Sequence, residues 1–490
     1  MICGVECNKG RDAKKSRRSG LRGAVVIQFG SKYINVALTL VVTMVLARIL
    51  TPEQYGVMAV VSVFLGLFTV IANVGIGAAV VQYRDLTDDE CSALMTFTAI
   101  FGVALALVFC GLSLPVAALY GSDEYVPLMC LASLSVIFGS ANMVPNGILL
   151  RDRMFMTSGV RLIVTSLASS FIAIALALMG WGAYALVLNT TLQNLFVLIW
   201  NLVAVDIPIG RTNMMGPLRK IMKFSSFQFL SQVLQYFIRN LDNMLIGAVM
   251  GSTALGFYDK AYKLAKYPIE IVPSTINPVL KSFFSVAEGD LDKIYNLFFK
   301  VEKVMSVVGV FASVTFSLCA SELIWLFFGD QWSGSVIPFA ILSVSIVFQM
   351  MNYMVFSVLE GLKRTDYLFR HTLITSIAMA VLLGVGLLSG SLEVVAASVS
   401  AYFILSTVPF LYFVVWKSFG KSVVNYMRCF VPEFASGLVA ALAMTGVAHI
   451  FPETGTASLV VKVLVGGAVY MFLIWRTGQL KYLKMLVKRN

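Results

Sequence analysis

Long apolar segments separated by short polar ones run from about residue 24 to residue 475. Most contain about 20 or more residues, the length that an α-helix needs to cross the hydrocarbon core of a bilayer. A membrane β-barrel would instead show alternating segments of about ten residues. The pattern therefore predicts an all-α polytopic membrane protein with about 14 transmembrane helices. The predicted spans are 24–47, 56–79, 91–113, 127–150, 157–179, 184–204, 221–249, 256–280, 296–319, 336–359, 368–388, 394–415, 432–451 and 458–475.

Basic residues predict the orientation of these helices. The N-terminal tail 1–23 and the C-terminal tail 476–490 are both basic. When the spans alternate in direction, about 30 of the 37 Lys and Arg residues fall on the side of the tails, as the positive-inside rule requires. The first apolar run is longer than the core of a typical signal peptide, so we interpret it as an uncleaved membrane helix. Both termini are therefore predicted to be cytoplasmic.

Internal similarity predicts two copies of a six-helix unit. When 28–56 is placed over 228–256, polar residues of the first segment fall on polar residues of the second. A second similarity relates "NMVPNGILLRDR" from Asn142 to "NYMVFSVLEGLKR" from Asn352. Because six is even, both copies would have the same orientation, as in parallel repeats of transporters. The predicted organisation is a six-helix lobe at 24–204, a cytoplasmic linker at 205–220, a second six-helix lobe at 221–415, and two further helices within 432–475.

Polar side chains form a stripe at helical spacing in spans 1 and 7. A charge at the bilayer centre costs roughly 3 kcal/mol, so such residues usually face a protein interior or a water-filled path. One interpretation is that the two stripes line a water-filled cavity. The other is that polar residues only hold helices together, with Arg239 and Asp242 as a structural ion pair. The residues concerned are Gln28, Lys32 and Asn35 in span 1, and Gln232, Gln235, Arg239 and Asp242 in span 7.

Span 8 adds two cations, Lys263 and Lys266, and two carboxylates at i,i+4 spacing from them, Asp259 and Glu270. A third lysine of this segment is Lys260, and snorkelling of the lysines to the interface is the alternative for part of the cluster, Lys260 above all. Prolines in the same segment predict bends that interrupt the helix, at Pro268, Pro273 and Pro278.

Two carboxyl groups are candidates for binding a coupling ion. Asp242 and Glu270 lie well inside their predicted spans, where desolvation favours protonation. The alternative is that they only neutralise Arg239 and Lys266.

Composition narrows the function. The chain is 59% hydrophobic and 13% charged, and its mean hydropathy is +0.86. The net charge is +12, but the basic residues lie between the apolar runs and at both ends of the chain, so no nucleic-acid partner is expected.

The seven cysteines contain no C-x-x-C pair, which predicts free thiols and no metal site. Walker, H-E-x-x-H and G-x-S-x-G motifs are missing from the sequence, so we expect neither an enzyme nor a cofactor.

Several stretches resemble a known family. "LARILTPEQYGVMAVVSVF", "GIGAAVVQYRDLTDDE", "RNLDNMLIGAVMGSTALGFYDKAYKL" and "FGDQWSGSVIPF" are similar to segments of the bacterial polysaccharide exporters. These are Wzx-like flippases of the superfamily that also contains multidrug and toxin extruders and the lipid II flippase. The resemblance extends from about residue 24 to residue 430.

The resemblance implies two six-helix lobes around a central cavity that opens alternately to either side of the bacterial cytoplasmic membrane. It implies a substrate of the undecaprenyl-pyrophosphate-linked oligosaccharide type, with membrane lipid and other polysaccharide-assembly proteins as partners and H⁺ or Na⁺ as a coupling ion. Pyrophosphate or acidic sugars would then meet Lys32, Arg239, Lys263 and Lys266, and sugar hydroxyls would meet Gln28, Asn35, Gln232 and Gln235. The alternatives are a cation-coupled drug extruder and a membrane-embedded glycan ligase or polymerase.

Overall fold

The computed structural model describes residues 30–73, 76–83, 86–152, 154–205, 215–286, 290–450 and 455–482. Throughout these ranges the regular structure is helical, and they contain no strand. Two predicted features, Gln28 and most of the basic tails, lie outside the described residues. The helices are α1 Gly30–Ile49, α2 Pro52–Ala72, α3 Ile76–Gln82, α4 Asp88–Tyr120, α5 Tyr125–Ala141, α6 Met143–Arg151, α7 Phe155–Leu178, α8 Ala183–Ala204, α9 Met215–Val286, α10 Leu291–Leu318, α11 Ala320–Phe328, α12 Val336–Val344, α13 Ile346–Asn352, α14 Val355–Gly361, α15 Thr365–Leu388, α16 Leu392–Leu405, α17 Thr407–Phe410, α18 Val423–Arg428, α19 Val431–Ile450 and α20 Thr456–Arg476.

Local sequence explains where two of these helices begin. Thr51 caps α2, and its hydroxyl accepts from the backbone N–H of Gln54 while the Gln54 side chain accepts from the backbone of Thr51. Thr87 and Glu90 form the same reciprocal cap at the start of α4. Each cap satisfies two of the N–H groups that a helix start leaves without intrahelical partners. Both short polar turns are thereby fixed next to long apolar helices.

The membrane-spanning character is confirmed, but the count of fourteen is not. Among the described residues, ten helices are long and apolar enough to cross a membrane, and up to twelve if each of two bent pairs counts as one span. The bends are 79° between α10 and α11, and 48° between the helical segments Asp330–Val344 and Ile346–Gly361. The remaining predicted spans, 221–249 and 256–280, fall on α9, which is not among these ten to twelve.

Helix α9 has two arms that meet at Gly251. That glycine has φ 87° and ψ 173°, a conformation that a side chain would strain, and it is the one residue inside Met215–Val286 with non-helical backbone angles. The prediction that Pro268, Pro273 and Pro278 interrupt the helix is therefore wrong. A proline removes one backbone donor, and membrane helices tolerate this because neighbouring groups satisfy the freed carbonyl.

Contacts divide the chain into two compact units, which meet in sequence between Ser252 and Thr253. The first unit contains α1 to α8 and the first arm of α9, and the second contains the rest. A core of aliphatic side chains from α3, α4 and α6 lies in the first unit, including Ile76, Val80, Leu94, Val144 and Leu149. The lobe limits that the sequence repeat predicts, with a linker at 205–220, stay a prediction.

The internal geometry of the two units repeats at several points. Gly102 of α4 lies so close to α5 that an added Cβ would be 2.6 Å from Cβ of Ser140. Gly309 of α10 lies equally close to α13, where the added Cβ would be 2.9 Å from Cα of Val347. Helices α7 and α15 each have 24 residues. Glycines with positive φ follow both, Gly180 at 85° and Gly390 at 68°.

Candidate functional site

The stripe predicted in span 1 lies on α1, the least buried of the ten candidate spans. Only 11% of its apolar window is buried within the described structure. Lys32 is exposed, and Asn35 is partly buried with an amide oxygen that accepts no hydrogen bond from the described residues. A charged side chain left open on an apolar helix must meet water or a polar ligand. Helix α1 therefore offers one cation and one free acceptor.

The first arm of α9 presents the second stripe on the same unit. Gln232 and Arg239 are exposed, and Gln235 is partly buried. Asp242, by contrast, is 1% exposed, and its Oδ1 accepts from the backbone N–H of Asn243 at 2.9 Å. The first arm of α9 therefore carries exposed polar side chains together with one buried carboxylate. Whether Asp242 orients Arg239, as the spacing predicts, stays a prediction.

Two tyrosines fix the packed face of this arm. The phenol of Tyr236 donates to the carbonyl of Val63 in α2 at 2.6 Å, in a space left by Gly66, whose added Cβ would be 2.2 Å from that phenol oxygen. Tyr120 of α4 donates to the carbonyl of Met244 at 3.1 Å. Because these contacts hold one side of the arm against α2 and α4, the orientation of its polar side is set by the fold of the first unit.

The charges of span 8 lie in the second unit, on the second arm of α9. Nζ of Lys263 is 2.8 Å from Oδ2 of Asp259, which confirms that predicted i,i+4 pair, and the Lys263 side chain is 59% exposed. Nζ of Lys266 lies 5.0 Å from the ring centre of Tyr262. Glu270 is exposed. Lys263 and Glu270 therefore remain available to a ligand.

Lys260 does not snorkel. It is 2% exposed, and its Nζ lies 5.2 Å from the ring centre of Phe328 and 5.5 Å from that of Trp332. The aromatic faces stabilise the cation electrostatically. The snorkelling alternative is therefore wrong for this lysine.

An arginine network in the first unit was missed by sequence reasoning. Nη1 of Arg161 in α7 donates to Oδ1 of Asn201 at 2.6 Å and to Oδ1 of Asn146 at 3.2 Å. Asn201 in turn donates to Oδ1 of Asn142 at 2.6 Å. The repeat that begins at Asn142 was the only sequence signal for it. The network ties α5, α6, α7 and α8 together.

Two buried ion pairs were also missed, and both attach the last two helices. Nζ of Lys303 in α10 is 2.7 Å from Oε1 of Glu433 in α19, with both side chains almost fully buried. Lys462 in α20 pairs with Glu322 in α11. A lone lysine within an apolar run, as at 462, was the available signal. Helices α19 and α20 are therefore bound to α10 and α11 by charge as well as by apolar packing.

The cysteine prediction needs one correction. Cys110 in α4 and Cys130 in α5 form a disulfide, and their Cα atoms are 4.8 Å apart. Cys91, Cys319 and Cys429 are free. The spacing of 20 residues matches no motif, and only the antiparallel packing of α4 on α5 brings the two side chains within bonding range.

The described residues also form an apolar groove of about 580 Å³ between α7 and α8. Its lining is almost wholly apolar, which suits lipid chains better than sugar hydroxyl groups. The described part of the chain contains no group of three or more His, Cys, Asp or Glu side chains placed to hold a metal ion. The open polar faces of α1 and α9 are therefore the better candidates for a hydrophilic ligand.

Comparison with known proteins identifies relatives across most of the chain. A family model described as "Polysaccharide biosynthesis protein" matches residues 45–338. The succinoglycan biosynthesis transport protein ExoT of Rhizobium meliloti is 24% identical over 371 residues, which cover 74% of this chain and 72% of ExoT.

Solved structures establish the fold. The lipid II flippase MurJ in an inward closed conformation has a TM-score of 0.73 at 13% identity, and the match covers 94% of this chain and 100% of that chain. An inward-facing multidrug resistance MATE family transporter of the MOP superfamily has a TM-score of 0.61 at 16% identity, with 80% and 96% covered. The family resemblance and the all-α polytopic fold predicted from the sequence are both confirmed.

Proposed function

The chain belongs to the family of polysaccharide biosynthesis proteins, and from this premise we propose that it is a flippase. Its substrate is a polyprenyl-pyrophosphate-linked oligosaccharide, of the undecaprenyl type, which it moves from the inner to the outer leaflet of the bacterial cytoplasmic membrane. Transport proceeds by alternating access, with both protein termini in the cytoplasm. The relative ExoT, named as a transport protein of succinoglycan biosynthesis, and the transporter fold support this proposal.

One observation carries the proposal: charged and amide side chains are exposed on α1, which is apolar enough to cross a membrane, and on the first arm of α9. Lys32 on α1 and Gln232 and Arg239 on α9 are exposed in the first unit. Facing lipid, each charge would cost roughly 3 kcal/mol. A pyrophosphate with attached sugars removes that cost, because it supplies negative charge to the cations and hydroxyl groups to the amides.

Arg239 is the residue we assign to the pyrophosphate. Its guanidinium presents a planar fork of donors that matches two phosphate oxygens at once, which a lysine ammonium cannot do. Lys32, Lys263 and Lys266 add further cations, and Asn35, Gln232 and Gln235 bind sugar hydroxyls. Gln28, outside the described residues, is assigned with them. Asp242 and Glu270 are the residues assigned from the sequence to a coupling H⁺ or Na⁺.

The test uses a deletion strain of the native host. Without the protein, lipid-linked oligosaccharide should accumulate on the inner leaflet, where an impermeant glycan-modifying reagent added outside cannot reach it. Wild-type protein should restore the access of the reagent to the lipid-linked oligosaccharide.

Arg239→Ala should reduce transport about tenfold or more, because a hydrogen bond to a charged group contributes roughly 1.5–3 kcal/mol. Arg239→Lys should restore part of the activity, and Lys32→Ala should reduce it less.

Arg370→Ala is the matched control, since Arg370 is an exposed arginine within another candidate span. It should transport normally at equal membrane abundance. Normal transport by Arg239→Ala, or unchanged leaflet distribution in the deletion strain, would contradict the proposal. Accumulation of unpolymerised units on the outer leaflet would point instead to a ligase or polymerase.

A further inference from the structure

A buried carboxyl group in the second unit has no partner. Glu302 of α10 is 0% exposed, and neither of its carboxyl oxygens has a hydrogen-bond partner among the described residues. It lies 11 residues after the first residue of α10, about 17 Å along a helix that together with α11 is long and apolar enough to cross a membrane. None of the residues assigned to the substrate is on this helix.

The neighbouring charges do not neutralise Glu302. Lys303 directs its ammonium group at Glu433, with Nζ 2.7 Å from Oε1, and also donates to the carbonyl of Cys429. Glu433 is itself fully buried, and its second oxygen has no partner in the described structure. Lys303 thus offsets the charge of Glu433, whereas no described cation contacts Glu302, so an ionised Glu302 would be an isolated charge in a fully buried position.

Among the described residues, the other helices packed on α10 supply no further buried cation without an anionic partner. The α12 and α13 segments contain no ionisable side chain. On α20, Tyr470 donates to the carbonyl of Val307, and Lys462 is held by Glu322. At the start of α10, Lys421 pairs with Asp292. The remaining titratable groups around the cluster are Tyr295, Tyr426, Cys429 and Tyr482.

Aromatic rings pack next to this part of α10, and two buried hydroxyl groups lie nearby. The ring of Tyr426 lies 6.5 Å from that of Phe298 and 6.0 Å from that of Phe299, the residues one turn before Glu302. The phenol oxygen of Tyr426 is buried without a partner in the described part of the chain. The buried hydroxyl of Ser306, one turn after Glu302, is likewise without one.

We propose that Glu302 is a proton-binding site of this transporter. In the packed state the carboxyl group holds its proton and is neutral, since isolated charges are strongly disfavoured in such surroundings. When α10 separates from α18 and α19 during transport, the O–H bond breaks, the proton passes to water, and the carboxylate remains. Its return to the packed state requires a new proton. The link to transport rests on the proposed function, but the proton site itself does not.

A proton fits this site better than Na⁺. A hard cation needs about six oxygen ligands, whereas the polar groups without partners here are the carboxyl groups of Glu302 and Glu433 and two hydroxyls. Only the proton neutralises Glu302 without further ligands.

The first test needs no substrate. Infrared absorption spectra of the purified protein in lipid nanodiscs at neutral pH should show the carbonyl stretch of a protonated carboxyl group. Glu302→Gln should remove this band, and Glu302→Asp should restore a shifted one. Glu393→Gln, at an exposed carboxylate, should leave it unchanged. A wild-type spectrum without the band would overturn the site.

The second test measures coupling in proteoliposomes with lipid-linked oligosaccharide. A pH gradient should accelerate transport by the wild-type protein and have no effect on Glu302→Gln, which should still transport at the basal rate. If Glu302→Gln retains the gradient dependence, the proton is structural and the coupling is refuted. Acceleration by a Na⁺ gradient instead would refute the choice of ion. Absence of any transport with the infrared band present would refute the proposed function and leave the site intact.

Discussion

The two halves of the molecule share a pattern of helices but treat polar groups differently. In the first, Arg161 of α7 is bonded to Asn146 and Asn201. The residue 210 positions later is His371 of α15, which is 7% exposed, and neither of its ring nitrogens has a hydrogen-bond partner within the described residues. The same helical position therefore holds a networked cation in one half and a buried imidazole without partners in the other.

Asn142 and Asn352, which are 210 positions apart, show which contact is the same in both halves. Asn142 accepts from Asn201 of α8, and Asn352 donates to Ser406 at 2.7 Å, next to the end of α16. Each asparagine thus joins the fourth span of its half to the sixth. The backbone arrangement and this one contact are repeated, while the charges around them are not.

The largest difference concerns charge burial. Glu302 lies seven residues before Gly309 in the second half. The residue seven positions before Gly102, in the first half, is Met95, which is partly buried. Glu302 and Lys303 lie where α19 packs on α10, and the first half has no such added helices in its described part. The two buried ion pairs accompany the two extra helices, so we infer that they serve the attachment of these helices rather than the common scaffold.

The strongest test of this comparison removes one member of the buried pair. Lys303→Ala should destabilise the protein by about 3–5 kcal/mol, because it leaves Glu433 buried without its cation. Unfolding in detergent, followed by thermal scanning fluorescence, measures the change. Lys293→Ala, at an exposed pair with Asp290, is the control and should cause no measurable shift. Equal effects at both positions would show that burial does not set the contribution of these pairs.

A second test compares the two residues that occupy the repeated position. Arg161→Ala should cost about 1–3 kcal/mol, because Asn146 and Asn201 lose the donor that satisfies them. His371→Leu removes a buried polar group without partners among the described residues and should be neutral or stabilising. Melting temperatures of both variants in the same detergent provide the readout. A large loss in His371→Leu would mean that the imidazole has a role of its own.

The smallest expected effect concerns the paired glycines. Gly309→Ala would press against backbone Cα of Val347 and should cost about 1–3 kcal/mol. Gly102→Ala would place its Cβ 2.6 Å from Cβ of Ser140, an atom that no rotamer change can move, and should also cost about 1–3 kcal/mol. The double variant Gly102→Ala with Ser140→Gly removes that atom and should recover part of the loss. A much smaller loss at one glycine than at the other would indicate that the two close contacts differ in structure.

Much of the fold was predictable because it is local. Each apolar segment must satisfy its own backbone hydrogen bonds in lipid, so helices and their approximate limits follow from hydropathy alone. The family was recognisable from short motifs such as "LTPEQYG", in which Thr51 and Gln54 form the observed cap. The breaks were less predictable, since three prolines leave α9 helical while Gly251 divides it.

The candidate site was predictable as a set of residue types but not as an arrangement. Lys32, Gln232 and Arg239 were selected by spacing, and the structure leaves all three exposed. Asp242 and Glu270 were selected by the same reasoning, yet one is buried and the other exposed. Helical spacing decides which side chains share a face and cannot say what covers that face.

The sequence by itself thus determined an all-α polytopic membrane protein of the polysaccharide biosynthesis family, with polar stripes on particular helices. Only the tertiary structure decided which charges are open and which are enclosed. In the sequence, Glu302 and Lys303 are two charged residues in the first half of a largely apolar helix. They belong to a buried cluster because Tyr426 and Glu433, more than 120 positions later, pack against this part of α10. Burial is a property of neighbours, and in a polytopic protein the decisive neighbours come from distant helices.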